Sequence, residues 1–577
     1  MFTAWKLAKT QRILYLIVKT MFRKIDSHGL SPWSYLSSPR QTWHDKSDLS
    51  LRGYNSNASP TARSRGPRSL EIDWLLVFIL AVATFFRFYK FEVFQYWSGD
   101  EELMTATIRH IIWDKSPTPL VQNANLGFGL GPFYHFLLVP FYFVLDFNLV
   151  ALQSIASLLG IITTFLVYKI GYELQGRRLG LIASFLYSSS FLIALYDRRL
   201  WHLTLDSSLM ALAALLLVRL MKGKVMWSFL LAIPIGFAFH HDASLVVIII
   251  GVLILWLIKR FNLGRNNMVL AITILGIFFL PLFVADIRFS GSFHKPIIQS
   301  ITRPLRSEGI TSHNFRFFKF TDLTEILSKV LAVSPNNFIE QEFCYCDTPK
   351  PFLGISGTLI VISVLVFNFY ILFMKNKFYN KSLVVVWVMM ISLLVGIFIF
   401  NYIFRGNFYQ HYFVIALPIF AILFGVFLNE VTGRNTILLF AVLTIFFLVN
   451  LYSLKNSSVK YPLVSKISLV RKSIEAMSSD KFSLRSSGDP YIQGGGWTEL
   501  YTIEGHPAVK SYWYENWDWI YAAYSLYPVR IEKEEPNKIV LIRKSGENLL
   551  DGGKVLSSQT YKDLELVVIY NSDPKKL

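Results

Sequence analysis

Cysteine is nearly absent from the sequence, whose 577 residues include only Cys344 and Cys346. Two cysteines cannot form the disulfide framework that staples a small secreted domain. A pair separated by a single residue would close only a small, strained ring. We therefore interpret both residues as ordinary thiols.

Charged residues are also scarce. They make up 16% of the chain, against about 25% in an average soluble protein, whereas hydrophobic residues make up 53%. In a polar protein a net charge of +19 would point to nucleic acid, but here 49 Phe, 28 Tyr and 14 Trp accompany the basic residues. This composition argues against an ordinary soluble enzyme and favours a polytopic membrane protein.

The chain is instead rich in apolar runs of about 16 to 22 residues, the length that a helix needs to cross roughly 30 Å of hydrocarbon. Short polar breaks separate these runs. The sequence therefore predicts an all-α polytopic membrane protein. The candidate spans are 74–89, 131–147, 150–171, 179–196, 203–220, 226–240, 243–258, 268–286, 353–374, 382–403, 410–429 and 435–452.

Basic residues between the spans predict the orientation, because they accumulate on the cytoplasmic side of a membrane. On this basis the first outer loop (90–130), the second outer loop (287–350) and the tail after residue 453 lie outside. The residues that mark the inside are Arg177, Arg178, Lys222, Lys224, Lys259, Arg260, Arg265, Lys375, Lys377, Lys381 and Arg434.

The region 131–171 creates a conflict in this topology. With the N-terminus inside, the loop 90–130 is outside after one crossing, and an inside Arg177 leaves only one crossing between them. Either 131–171 contains one span plus a re-entrant or surface helix, or one basic pair is misplaced. We therefore predict about eleven crossings, with twelve as the alternative.

Three segments make up the predicted organisation of the chain. Residues 1–72 are rich in Lys and Arg with Ser, Pro and Asn, which is typical of a basic, partly disordered cytoplasmic arm. Residues 73–452 form the transmembrane domain, and 453–577 are long enough for a small extracytoplasmic α/β domain. Within the last segment the sequence predicts a helix and two strands near 464–478, 538–544 and 564–571.

The middles of the candidate spans carry almost no charge. Where transporters and proton pumps accept charged groups in the membrane, those groups line the transport path. Here the ionisable residues gather at the outer ends of spans, which favours a reaction at the outer interface. They are Asp100, Glu101, Glu102, Asp197, Arg198, Arg199, His202, His240, His241, Asp242, Asp286, Arg288, Arg405 and His411.

The first outer loop is predicted to contain a short amphipathic helix along the membrane surface, since apolar residues recur at helical spacing from Met104 to Ile112. Asp100 is predicted at its N-cap, with Glu101 and Glu102 in the first turn, where acidic side chains complement the helix dipole. These acids either only cap the helix or include a general base held at the interface.

This order of features resembles the C-type (GT-C) glycosyltransferase superfamily, which includes protein O-mannosyltransferases, aminoarabinose transferases of lipid A and related bacterial core-glycan transferases. Its members have a short first span, an Asp-Glu pair that opens a helix in the first outer loop, further spans and an outer C-terminal domain. Similar segments follow in the same order over roughly 74–450. They are Gly131–His135 (GPFYH), Tyr196–His202 (YDRRLWH), Gly236–His241 (GFAFHH) and Gln410–Pro418 (QHYFVIALP).

The resemblance implies transfer of a sugar from a polyprenyl-phosphate carrier to an acceptor at the outer face of the cell membrane, usually with inversion at the anomeric carbon. Asp100 corresponds to the catalytic Asp, and Glu101 to an acidic neighbour that orients this base or holds the sugar. A general base contributes a factor of about 10² to 10⁴ in rate. The implied partners are the lipid-linked donor, membrane lipids and a protein, lipid or glycan acceptor, with no cofactor and no nucleic acid.

The leaving lipid phosphate needs positive charge and hydrogen-bond donors where its negative charge develops. Arg198 is the first candidate, because a guanidinium binds phosphate oxygens bidentately. Arg199 is also available, since Gln153 stands where many relatives have Arg. The predicted substrate-binding residues are Arg198, Arg199, Trp201, His202, His241, Arg405, His411 and Tyr412.

Three other interpretations are possible. A metal site could use His240, His241 and Asp242, or the two cysteines with His294 or His313. Adjacent histidines at a helix end do not easily face one ion, and the family does not generally require a metal for transfer, so no metal is predicted. A transporter or flippase of lipid-linked glycans needs polar residues along a path through the membrane, and these are scarce in the spans. A non-catalytic relative that only binds glycan or lipid is the third.

Overall fold

The computed structural model describes residues 73–115, 120–121, 129–288, 291, 294–302, 317–335, 350–374, 382–404, 409–477, 481–487, 495–512, 536–547 and 553–571. All of these residues belong to one unit, Asp73–Leu577. The predicted cytoplasmic arm (1–72), both cysteines and Arg405 lie outside the described residues.

Helices occupy every predicted span, as expected where a backbone must satisfy its own hydrogen bonds in lipid. Six described helices are long and apolar enough to cross a membrane: Leu149–Gln175, Arg265–Arg288, Gly354–Leu372, Leu383–Ile403, Gln410–Thr432 and Thr436–Lys455. The remaining candidates contain the shorter helices Trp74–Phe88, Phe133–Val144, Arg177–Ser189, Phe191–Tyr196, Asp206–Met221, Ser228–Phe237 and Val246–Lys259. The mostly helical fold is thus confirmed.

The region 131–171, where the predicted topology conflicts, holds two helices of unequal length. Phe133–Val144 has 12 residues, whereas Leu149–Gln175 has 27. At about 1.5 Å per residue the shorter helix extends only about 18 Å, less than the roughly 30 Å of a hydrocarbon core. These lengths favour one span plus a re-entrant or surface helix, and the total of eleven crossings stays a prediction.

Glycines allow the helices Leu149–Gln175 and Arg177–Ser189 to approach closely. A Cβ atom on Gly171 would lie 2.8 Å from Cα of Gly180, and one on Gly180 would lie 2.8 Å from the carbonyl oxygen of Tyr168. Small residues permit such contact in lipid, where packing rather than hydrophobicity holds helices together. The two helices therefore form a tight pair that packs against the helix Trp74–Phe88, which occupies the first predicted span and is called the first span below.

The predicted helix in the first outer loop is present as Gly99–Trp113, which we call the first-loop helix. Its N-cap is Ser98 rather than the predicted Asp100, because the Glu101 carboxylate accepts hydrogen bonds from the backbone N–H (2.9 Å) and hydroxyl (2.5 Å) of Ser98. Residues 101–109 are all buried, so this helix is packed inside the protein rather than lying open on a surface.

The second outer loop also contributes helices, His294–Thr302 and Phe320–Leu331. Phe320–Leu331, the second-loop helix, is strongly amphipathic and buries its apolar face. The carbonyl oxygens of Val330 and Leu331 accept hydrogen bonds from Ser190 Oγ (2.8 Å) and Asn450 Nδ2 (2.9 Å). The C-terminal end of this helix is therefore fixed to the start of the helix Phe191–Tyr196 and to the helix Thr436–Lys455.

The C-terminal segment combines two helices, Leu463–Met477 and Trp497–Ile503, with one five-stranded sheet. The strands are β1 Phe482–Ser486, β2 Lys510–Ser511, β3 Lys538–Lys544, β4 Lys554–Tyr561 and β5 Leu564–Tyr570. Their order in the sheet is β2-β1-β3-β5-β4; β1 pairs in parallel with β2 and β3, whereas β5 is antiparallel to β3 and β4. The predicted helix and both predicted strands are present, which confirms a small α/β fold.

Candidate active site

Asp100, Glu101 and Glu102 open the first-loop helix, yet their side chains enter three different surroundings. The Asp100 side chain is 41% exposed, whereas Glu101 and Glu102 are completely buried. Successive helical residues point about 100° apart, which separates the three carboxylates. Glu102 accepts a hydrogen bond from the backbone N–H of Glu499 in the C-terminal segment (2.7 Å), and burial raises the pKa of Glu102 to about 8.

Glu101 forms a buried, forked ion pair with Arg199. Arg199 Nε donates to Glu101 Oε1, while Nη2 lies 3.3 Å from Oε2 and 3.0 Å from Ser98 Oγ. The guanidinium also stacks over the indole of Trp201, 3.5 Å from the ring centroid. A buried pair is stable only with such complete hydrogen bonding, so Arg199 is held in one orientation beside the helix start.

Asp100 lies on the open side of this pair. Its Oδ2 is 3.6 Å from Arg199 Nη2 and 3.8 Å from His202 Nδ1. An exposed carboxylate beside a fixed cation and a histidine can accept a proton from a ligand hydroxyl while its orientation is held. The structure therefore brings together three residues that the sequence predicted for the site, namely Asp100, Arg199 and His202.

Aromatic rings border the same place. Trp201 contacts His202 and His411, with ring centroids 5.0 Å and 5.5 Å apart, and Tyr412 contacts His411 at 4.5 Å. Trp201 is buried, and it supports the more accessible histidine rings. All three predicted residues Trp201, His411 and Tyr412 thus belong to the cluster that contains Asp100.

Arg198 points in another direction. Its Nη2 donates to the carbonyl oxygens of Phe86 and Tyr89, at 2.9 Å for Tyr89, at the end of the first span. The preceding Asp197 accepts a 2.6 Å hydrogen bond from Arg87 of that span. The segment therefore fastens the first span to the core, and the geometry favours Arg199 over Arg198 as the arginine beside Asp100.

His241 lies deeper than the cluster around Asp100. Its Nε2 accepts from the backbone N–H of Leu205 (2.9 Å) and lies 3.5 Å from Asp206 Oδ1, and the side chain is completely buried. The adjacent His240 has a different partner, the carbonyl oxygen of Phe278 at 2.7 Å. In the described part of the chain, no group of three His, Cys, Asp or Glu side chains is placed to hold a metal ion.

Gln153 has a structural role that the sequence did not reveal. Its Oε1 accepts from the backbone N–H of Leu200 (2.7 Å), and its Nε2 donates to the carbonyl oxygen of Tyr96 (3.2 Å). The two bonds tie together the segments that carry Arg199 and Asp100. The departure from the family pattern at this position was the available signal.

Lys329 is a second residue that the sequence analysis missed. This buried lysine of the second-loop helix donates to Gln410 Oε1 (2.8 Å), and Gln410 Nε2 donates to the hydroxyl of Tyr196 (2.9 Å). Gln410 precedes His411, so the second outer loop reaches the edge of the aromatic cluster. The amphipathic pattern of residues 320–331 was the signal that would have placed a helix there.

No family model matches the sequence, and no curated protein matches it significantly. A solved structure does match: ArnT from Cupriavidus metallidurans bound to undecaprenyl phosphate has a TM-score of 0.52 and 11% sequence identity, covering 86% of this chain and 97% of that chain. The fold is GT-C-like.

A second solved structure is more distant. The archaeal oligosaccharyltransferase AglB from Archaeoglobus fulgidus, in complex with an inhibitory peptide and a dolichol-phosphate, has a TM-score of 0.41 and 12% identity. The match covers 82% of this chain and 69% of that chain. The GT-C resemblance found in the sequence is thus confirmed at the level of the fold, on the likeness to ArnT alone.

Proposed function

We propose that this protein is an integral-membrane glycosyltransferase that moves a sugar from a polyprenyl-phosphate donor to an acceptor hydroxyl at the outer face of the membrane. The observation that carries the proposal is the exposed Asp100 carboxylate, held within 4 Å of both Arg199 and His202 at the start of a buried helix. The undecaprenyl phosphate in the ArnT structure supports the class of donor.

In the proposed reaction, Asp100 takes the proton of the acceptor hydroxyl as its oxygen bonds to the sugar anomeric carbon. The bond between that carbon and the phosphate oxygen breaks on the opposite side, which inverts the anomeric configuration and releases polyprenyl phosphate. We propose that Arg199, His202 and His411 stabilise the leaving phosphate, because hydrogen-bond donors and positive charge are needed where its negative charge develops.

Glu101 has a supporting role in this proposal. It fixes the Arg199 guanidinium from the buried side, which leaves the other side of the arginine toward Asp100. Tyr412 offers an aromatic face for the sugar ring or the first isoprene units, whereas the buried Trp201 supports the Arg199 guanidinium that faces the donor. Arg198, His241 and the undescribed Arg405 are secondary candidates for substrate binding.

The proposed topology places this site and the C-terminal α/β domain outside the cytoplasm, with about eleven crossings below them. The acceptor is a protein, lipid or glycan hydroxyl. Rival roles as a flippase or a non-catalytic binder predict no dependence on a general base at Asp100.

The test compares Asp100→Asn with Asp114→Asn. Asp114 ends the same helix and has a similarly exposed side chain, 44% against 41%, which makes it a matched control. With protein folded and inserted, Asp100→Asn is expected to lower transfer of labelled sugar from a polyprenyl-phosphate donor by about 10² to 10⁴. Asp114→Asn is expected to retain it. Equal transfer by wild type and Asp100→Asn would refute the assigned base.

A further inference from the structure

The C-terminal domain contacts the first-loop helix through buried polar side chains: Glu102 and Glu499 are completely buried, and the Arg109 side chain is 9% exposed. Arg109 binds the Glu499 carboxylate with both Nε (2.7 Å) and Nη2 (3.1 Å). Glu102 in turn accepts from the backbone N–H of Glu499 (2.7 Å). One residue of the C-terminal helix Trp497–Ile503 is therefore held at two points along the first-loop helix.

A second set of contacts joins the same surfaces. Lys466 donates to the carbonyl oxygens of Trp97 (2.7 Å) and Gly495 (2.8 Å), and the Trp97 indole N–H donates to the carbonyl oxygen of Gly496 (2.6 Å). Gly496 has φ +71, and a Cβ atom there would lie 2.5 Å from Trp97 Nε1. The approach is thus specific to glycine and leaves little freedom to the segment that precedes Asp100.

Helix geometry gives these contacts a direction. Glu102 and Arg109 are seven residues apart, which places them on the same face of the first-loop helix, about two turns apart. Asp100 precedes Glu102 by two residues and therefore points about 200° away, toward the opposite face. The contacts of Glu102 and Arg109 with the C-terminal domain consequently fix the rotation of the first-loop helix about its axis, and with it the direction of Asp100.

Polar groups are a costly way to join two domains, because each must be desolvated and then fully bonded. Apolar packing would join the surfaces with less demand on geometry. Bonds with defined direction instead fix the position of one surface on the other. A fixed position matters when a misplacement of about 1 Å is worth roughly 10² in rate.

We propose that Glu102 and Arg109 are positioning residues, which use Glu499 of the C-terminal domain to hold the Asp100 carboxylate in its place beside Arg199 and His202. This inference rests on the proposed function and extends it. The C-terminal domain then completes the active site from behind the helix, without touching the reacting atoms.

Steady-state transfer assays on full-length protein test the proposal. Glu102→Ala is expected to lower kcat roughly 10- to 100-fold and to leave KM for the lipid-linked donor within about twofold, because the base is displaced while the donor site remains. Glu102→Gln is expected to recover most of kcat, since an amide oxygen still accepts from the Glu499 N–H. Arg109→Lys, which keeps the charge but loses the fork, is expected to fall between them.

Glu504→Ala is the matched control. Its carboxylate pairs with Arg471 at 2.8 Å in the same domain, and this ion pair is partly exposed to solvent. It is expected to leave kcat unchanged. If Glu102→Ala and Arg109→Lys both keep kcat within about twofold of the wild type, the positioning role is refuted.

Hydrogen exchange separates this inference from the proposed function. In Glu102→Ala the backbone amides of residues 98–106 are expected to exchange faster than in wild type, whereas Glu504→Ala leaves them unchanged. If exchange is faster in Glu102→Ala but the wild type transfers no sugar, the proposed function is refuted, whereas the positioning of the helix by Glu102 is not. Unchanged exchange in Glu102→Ala refutes the positioning role of Glu102, whatever the transfer activity of the variant.

Discussion

Asp197, Arg198 and Arg199 follow one another in the chain, but they stabilise different parts of the molecule. Asp197 pairs with Arg87 in the first span, Arg198 binds backbone carbonyls at the end of that span, and Arg199 binds Glu101 in the first-loop helix. This short turn therefore fixes the distance between the end of the first span and the start of the helix that carries Asp100.

Substitution of the two neighbouring arginines should separate chemistry from stability. Arg199→Lys loses the forked bond to Glu101, because an ammonium cannot reproduce guanidinium geometry. We expect transfer per folded molecule to fall roughly 10- to 100-fold. Arg198→Lys should instead lower the thermal unfolding midpoint in detergent and keep transfer within about twofold. A rate loss at Arg198 that matches the loss at Arg199, with an unchanged midpoint, would return the phosphate role to Arg198.

Local residues of the site were predictable, and distant partners were not. Asp100 and Glu101 are recognisable because both stand in one short motif at the start of a helix. The sequence identified Glu102 only as an acidic residue in the first turn of the helix, because its partner Glu499 is 397 positions away. Arg198 and Arg199 could not be ranked from the sequence, because side-chain direction in a tight turn depends on the packing around it.

Helix packing explains why one glycine of the core is important to the candidate site. Gly160 of Leu149–Gln175 faces the buried pair formed by Arg87 and Asp197. A Cβ atom at this position would lie 2.5 Å from Arg87 Nε and 2.4 Å from Asp197 Oδ2. The space left by this glycine allows the Arg87 and Asp197 side chains to contact each other directly, at 2.6 Å.

Gly160→Ala should consequently displace the Arg87–Asp197 pair. Overpacking of this kind costs about 1 to 3 kcal/mol, so we expect a lower unfolding midpoint in detergent. Gly276→Ala is the matched control, because Gly276 lies within Arg265–Arg288 and a Cβ atom there meets open space. Its midpoint should stay the same or rise. Equal midpoints for the two variants would contradict the packing role of Gly160.

At the level of elements, the sequence placed helices well and assigned their surroundings less well. Apolar length marks a span because the hydrocarbon thickness sets it, and every candidate contains a helix. The N-cap of the first-loop helix was assigned to Asp100 instead of Ser98, since both residue types favour caps. Its burial under the C-terminal domain had no local signal at all.

The two ends of the first span contact different parts of the chain. Asp73 at its start binds Arg177 of the predicted inner loop, at 2.9 Å, whereas its last turn binds Arg198 next to the candidate site. A helix of 15 residues separates these ends by about 22 Å. Arg177, one of the basic residues that predict the inside, and Arg198, next to the candidate site, therefore contact opposite ends of this helix.

This separation makes the orientation testable with single cysteines. In a Cys344→Ser, Cys346→Ser background, Asn266→Cys reports on the exposed start of the helix Arg265–Arg288, next to the predicted basic inner loop, and Lys554→Cys reports on the exposed start of strand β4. A membrane-impermeant maleimide should label Lys554→Cys in right-side-out vesicles and Asn266→Cys only in inverted ones, because basic loops stay in the cytoplasm. Labelling of both from one side would refute the predicted topology, and a reversed pattern would move the proposed transfer to the cytoplasmic face.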